Sequence, residues 1–225
     1  TDARQFQIHG SVHSGKGSVA VDGSAGLGTG GQTRLTIKGS QFTAADIPAA
    51  SVVISPDLTV KQDASGIDIG GAVGIDRASV DVDKLPGAGA SATSPDVVVV
   101  DEKQQQAAGK LPVSALVKVN LGEHAHVTGM GLDGRMSGVL TVIEKPGKAT
   151  TGQGQIAVDG TYRAYGQNLK IQRGQLLFAS TPIDNPGLNI RAVRKLNPNA
   201  TVDEGQEVGL YVSGTAQRPI LTVFS

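Results

Sequence analysis

Apolar and polar residues alternate through most of this chain, from Val19 to Val223, with almost no helical period interrupting them. Ser79–Lys84 reads SVDVDK, Thr33–Lys38 reads TRLTIK, Val113–Leu121 reads VSALVKVNL and Glu207–Ser213 reads EVGLYVS. Successive side chains of a strand point to opposite faces, so each of these segments gathers its apolar residues on one side. Gly, Pro, Asp and Asn punctuate the pattern. It predicts strands near 17–23, 33–38, 51–55, 57–62, 66–75, 78–83, 97–101, 113–121, 124–129, 135–144, 153–162, 168–172, 175–180, 187–194, 207–214 and 219–224. Such regular, closely spaced strands are an all-β signature, here read as one long sheet with one apolar face.

The phase of the alternation names that face. Its expected lining is Val19 and Val21, Leu35 and Ile37, Val80 and Val82, Val113, Val117, Val119 and Leu121, Ile156 and Val158, Leu169 and Ile171, and Leu188 and Ile190. Two stretches break the rhythm. KLPGAGASATSPD at 84–96 is small, polar and Pro-containing, and the run from Asp101, DEKQQQAAGK, is helix-friendly but too short and polar to be core. Because the alternation resumes unchanged at Val113, residues 84–96 and 101–111 are expected to be loops or an insertion within one continuous unit over 1–225.

Composition narrows what this face can meet. With 225 residues and 39% apolar content the chain can build a sizeable core, and 31 glycines, 3% aromatics and no Trp make its lining aliphatic. Twenty basic residues balance twenty acidic ones, which removes the electrostatic footprint of a nucleic-acid binder or an anionic-membrane binder. There is no Cys, hence no disulfide framework or thiolate metal site. No apolar run is long enough for a membrane-spanning helix. The chain opens at Thr1 without a signal-like apolar stretch, and it reads as a fragment of a larger protein.

Several motif look-alikes fail on context. Gly26, Gly28 and Gly31 have dinucleotide-loop spacing, but a strand rather than a helix follows them at Thr33. GSVHSGKG at Gly10–Gly17 nearly spells a phosphate loop, yet Gly17 stands where the metal-binding hydroxyl belongs. His124 and His126 share a strand face without further ligands at metal-site spacing, and His9 and His13 sit in an N-terminal segment expected to fray. Asp68, Asp76, Asp81, Asp83 and Asp133 fall on the outward phase or in turns, where solvated carboxylates are ordinary. No catalytic constellation and no cofactor site emerges.

The C-terminal third is more specific. It carries the run YRAYG at Tyr162–Gly166, including Tyr165, followed by Leu169, Ile171, Gly174, Leu176 and Phe178, then Asn185, Pro186, Leu188, Ala192 and Arg194, then Val212, Gly214 and Pro219. This ordered series resembles the C-terminal domain of the TamB family, related to AsmA-like bridge proteins; SPDVVVVDE at Ser94–Glu102 and SVVISPDLTV at Ser51–Val60 are similar to it more loosely. Each position also has a structural reading. Tyr162, Leu169, Ile171, Leu176 and Phe178 fit inward sheet positions, Gly166 and Gly174 fit turns or bulges, and Pro186 and Pro219 bound strands.

The resemblance implies a sheet curled along its length into an open trough, a β-taco, with its apolar face inside. It also implies a periplasmic location for a protein anchored in the inner membrane and reaching the outer one. Two cargoes follow: phospholipid acyl chains shielded in the trough, or unfolded outer-membrane β-strands handled by a chaperone-like assembly factor. The partner implied is an outer-membrane barrel of the BamA-like class, TamA. A β-solenoid adhesin or passenger domain is the remaining reading of the alternation.

Overall fold

A computed structural model describes residues 4–27, 31–85, 111–164, 166–195 and 207–225. All of its strands belong to a single sheet. They are β1 (Arg4–Leu27), β2 (Thr33–Ile47), β3 (Ala50–Asp63), β4 (Gly66–Asp81), β5 (Val113–Gly129), β6 (Leu132–Glu144), β7 (Thr151–Ala164), β8 (Gln167–Pro182), β9 (Gly187–Lys195), β10 (Glu207–Thr215) and β11 (Arg218–Phe224). They lie in strict chain order from β1 to β11, and the first and last strands do not pair, so the sheet is an open, curled trough and not a barrel. A single 3-10 turn at Val82–Lys84 follows β4.

Fewer and longer strands form than the alternation predicts, because bulges carry the chain through positions that read as breaks. The two strands expected at 51–55 and 57–62 are one, β3, with Pro56 buried in its interior. Its neighbour β2 shifts register between Lys38 and Phe42, which leaves a gap in the ladder beside Pro56, where a missing N–H costs nothing. Register shifts likewise join 66–75 to 78–83 within β4, 113–121 to 124–129 within β5, and 168–172 to 175–180 within β8. The expected strand at 97–101, and all but the ends of the expected loops at 84–96 and 101–111, lie outside the described residues.

Two features were not legible beforehand. All consecutive strands are antiparallel except β4 and β5, which run parallel from Ile67 opposite Val113 to Asp81 opposite Thr128. Parallel neighbours cannot be joined by a tight turn and need a dozen or more residues to return the chain to the starting end, a length the sequence between Asp81 and Val113 supplies. Secondly, β1 doubles back on itself. His9 Nδ1 stands 2.8 Å from Asp22 Oδ1 and the Gln5 amide reaches Ser24 Oγ, although thirteen residues of straight strand would separate His9 from Asp22 by about 43 Å. Gly15, with φ +64°, makes the reversal. His9 is therefore held against the returning half of β1 rather than lying in a frayed end.

Candidate functional site

Strand by strand, the register assembles the apolar face. Val21 lies opposite Ile37, Ile37 opposite Leu58, Leu58 opposite Gly71, Gly71 opposite Val117, Val117 opposite Val142 and Val142 opposite Gly152, a rung that crosses seven strands. A second rung runs Pro56, Val73, Val119, Leu140, Gly154, Phe178, and a third Ile54, Ile75, Leu121, Gly138, Ile156, Leu176, Leu188. Directly opposed residues share a face, so these rungs define one continuous aliphatic surface.

The expected lining residues fall on this surface with one exception. Val19, Val21, Leu35, Ile37, Val80, Val117, Val119 and Leu121 lie there half-buried, and Val113 sits at its margin, 38% exposed. Ile156, Val158, Leu169 and Ile171 are buried on the same face, with Leu188 and Ile190 beside them. Val82 is the exception: it opens the 3-10 turn after β4 and continues no strand. Ile54, Leu58 and Val60 were missed because Ser55–Pro56 looks like a break, although the even-numbered phase passes straight through Pro56 and could have revealed them.

The family-motif residues are architectural. Tyr162 lies opposite Leu132 and Leu169 on the apolar face, and Phe178 covers Gly152, whose position has no room for a methyl beside the Phe178 ring and Leu140. Gly166 has φ +73° in the β7–β8 turn and Gly214 has φ +83° opposite Pro219. Gly174 differs from the expectation of an unusual backbone angle. It is buried within β8, and a Cβ there would stand 2.2 Å from the Val158 carbonyl oxygen, so close strand approach is what requires glycine. Pro186 precedes β9 and Pro219 is the second residue of β11, while Arg194 donates to Gln167 at the exposed end of β8 and β9. Tyr165 lies outside the described residues.

The opposite face is mainly polar and holds register. Lys38 pairs with Asp57 at 3.6 Å, His126 with Asp133 at 3.2 Å and Arg191 with Glu207 at 3.7 Å, while Asn189 donates to Gln175 at 2.7 Å and accepts from Tyr211 at 3.3 Å. A cleft of about 780 Å³ also opens on this side, between Gly70, Ser114, Leu116, Ile143 and the Lys145–Pro146 turn. It is separate from the trough, since Gly70, Leu116 and Ile143 alternate with the lining rungs. Where β4 ends, the Lys84 ammonium is 2.7 Å from Asp81 and its hydrogen bond holds that carboxyl below the usual aspartate range. Among the described residues, no group of three or more His, Cys, Asp or Glu converges as a metal site would require, and no helix is long and apolar enough to cross a membrane.

A single open sheet, aliphatic on one face and mainly polar on the other, with no second layer over the apolar face among the described residues, defines a hydrophobic-groove β-protein. The chain belongs to the TamB family: residues 7–225 match the TamB C-terminal domain. It is 31% identical over 208 residues to the translocation and assembly module subunit TamB of Haemophilus influenzae, a match that takes in 86% of this chain and 16% of that protein. The chain thus spans only a small part of the relative's length.

Proposed function

We propose that this chain is a periplasmic segment of an envelope-spanning bridge, whose trough shields phospholipid acyl chains during transport between the inner and outer membranes. The full-length protein is anchored in the inner membrane in this reading. The observation that carries it is the uncovered aliphatic surface, which runs from Val21 through Val117 without an ionisable side chain on its central rung. Hydrocarbon gains about 0.8 kcal/mol for each buried methylene and asks for no hydrogen bond in return. The headgroup remains at the mouth, in water. The balanced charge leaves no role for nucleic acid, and shielding requires no bond to be made or broken, so the reading is non-enzymatic and needs no cofactor.

The geometry of the sheet also favours lipid over polypeptide as a guest in the trough. Strands β2–β10 are hydrogen-bonded on both sides, so an extended peptide laid on their apolar face finds no backbone partner there. Each peptide group buried in that way would cost about 1–3 kcal/mol. An acyl chain carries no such penalty.

A second reading, an assembly factor for outer-membrane β-barrel or autotransporter proteins, is favoured by the two edges. β11 is paired on one side only and exposes Ile220, Leu221 and Val223, the last 74% exposed, as a strand-adding surface would. The name of the Haemophilus relative, a translocation and assembly module subunit, is consistent with that use. An outer-membrane barrel of the BamA-like class, TamA, is the partner in either reading. The solenoid adhesin has no comparable support, because solenoids stack parallel coils and all neighbouring strands here but one pair are antiparallel.

Photo-crosslinking in intact cells from Val117 in the trough and Val223 at the edge tests the choice. Phospholipid recovered from Val117 supports lipid shielding. Barrel peptides recovered from both positions, with no lipid, would overturn it in favour of assembly.

A further inference from the structure

The apolar face is continuous, but its depth is not. Among the described residues, two clusters of buried apolar side chains form, Val158, Leu169, Ile171, Ala192 and Leu210, and Leu140, Ile156 and Phe178, all from β6–β10. Along β1–β4 the same face holds Val21, Ile37, Leu58 and Val73, all half-buried, and it contributes to neither cluster. A side chain already withdrawn from solvent has little surface left to offer a guest, whereas a half-buried one gains by being covered.

Accepting lipid shielding as the chain's use, we infer that hydrocarbon enters only the β1–β5 section of the trough, and that β6–β10 is a self-filled end whose boundary is set by Phe178. The ring lies in the path of the guest. The rung from Val73 through Val119 meets Leu140, then Gly154 and Phe178, and the Phe178 ring fills the space that Gly152 leaves vacant. Beyond it the lining is packed by its own residues, with Ile156 and Val158 each 4% exposed.

Length supports a single acyl tail as occupant. Four inter-strand gaps from Val21 on β1 to Val117 on β5 span about 19 Å at the usual sheet spacing, close to the roughly 15 Å that one leaflet contributes to a bilayer's hydrocarbon core. The rung through Val21, Ile37, Leu58 and Val117 is wholly aliphatic or glycine, which matches a guest with no polar atoms along its length.

Mapping covalent adducts on the unaltered protein tests this. The intact protein is exposed to phosphatidylethanolamine–phosphatidylglycerol vesicles doped with a phosphatidylethanolamine whose acyl chain bears a diazirine, irradiated, and digested for peptide mass spectrometry. Adducts concentrated on β1–β5 peptides, with β6–β10 apolar-face peptides at background, are the expected result. Adducts spread evenly over both sections overturn the boundary and leave lipid shielding standing. Adducts nowhere on the apolar face overturn lipid shielding itself. In F178A the adducts are expected to extend to peptides holding Leu140 and Ile156; a folded F178A with the wild-type map would remove Phe178 from its role as the boundary.

Discussion

Along β1–β4 the aliphatic residues Val21, Ile37, Leu58 and Val73 stay half-buried, whereas Ile156, Val158, Leu169 and Ile171 on β7 and β8 have almost no exposure left. Both sets lie on one face of one sheet and follow the same alternation. What differs is the matter around them. The first section is lined by Val, Ile, Leu and Gly side chains that end close to the sheet. The second adds Met136, Tyr162 and Phe178, and sets glycines such as Gly152 and Gly174 where long neighbours need room. Bulky side chains placed over glycines bury one another, and uniformly modest ones stay half-exposed.

The sharpest break of this comparison is a carboxylate placed in each section. Ile171→Asp buries a charge beside Val158, Ala192 and Leu210 and is expected to cost several kcal/mol, enough to abolish the cooperative unfolding transition in a denaturant titration. Val119→Asp, at a half-buried position, should lower stability by only about 1 kcal/mol while eliminating acyl adducts. Val117→Arg should behave in the same way, with transport lost and folding retained. Equal destabilisation by Ile171→Asp and Val119→Asp would erase the distinction between the sections.

Truncation gives the next largest effect. Phe178→Ala removes a ring packed against Gly152 and Leu140 and should cost about 3–5 kcal/mol, read from the shift in denaturation midpoint at constant slope. A smaller contrast comes from two glycines. At Gly152 an added methyl would stand 2.9 Å from Phe178 Cδ1 and 3.0 Å from Leu140 Cδ1, whereas at Gly70 nothing lies within 4 Å. Gly152→Ala should therefore lose about 1–3 kcal/mol by overpacking, and Gly70→Ala should move stability by less than about 0.5 kcal/mol. Thermal melts of the pair check this directly.

The smallest expected effect is electrostatic, at the end of β4. The hydrogen bond from Lys84 lowers the pKa of Asp81, and Asp81 in turn raises that of Lys84. A lowered carboxyl pKa stabilises the fold above its unfolded value near 3.9, and this contribution disappears as pH falls through the folded value. The raised ammonium pKa stabilises below its unfolded value near 10.4 and is lost as pH climbs through the folded one. Lys84 is exposed and Asp81 only half-buried, so the consequence is slight: Asp81→Asn should flatten a little of the melting-temperature fall below pH 4 and leave the adduct map untouched.

Much of the architecture could be read from the chain. Alternation placed Val19, Leu35, Val117, Ile156 and Ile171 on one face, because a period of two is dictated by the strand backbone whatever the strand packs against. The ordered series from Tyr162 to Pro219 carried the family. Glycine's role at Gly166 followed from a turn that needs positive φ. The merging of two expected strands across Pro56 escaped notice, because a bulge in β2 is a property of the neighbouring strand rather than of Pro56 itself. Val82 was carried one residue too far along the alternation, since the end of a strand depends on where its partner stops.

Sequence by itself determined that the protein is all-β and that alternate positions along its strands share an aliphatic face, since these depend on side-chain type and the two-residue repeat of a strand. Only the tertiary structure decided that β5 runs parallel to β4, that β1 folds back on itself, and that the apolar side chains are half-buried along one section and buried along the next. Those depend on register and on the reach of side chains across the sheet, and neither is fixed by the local pattern of any single strand.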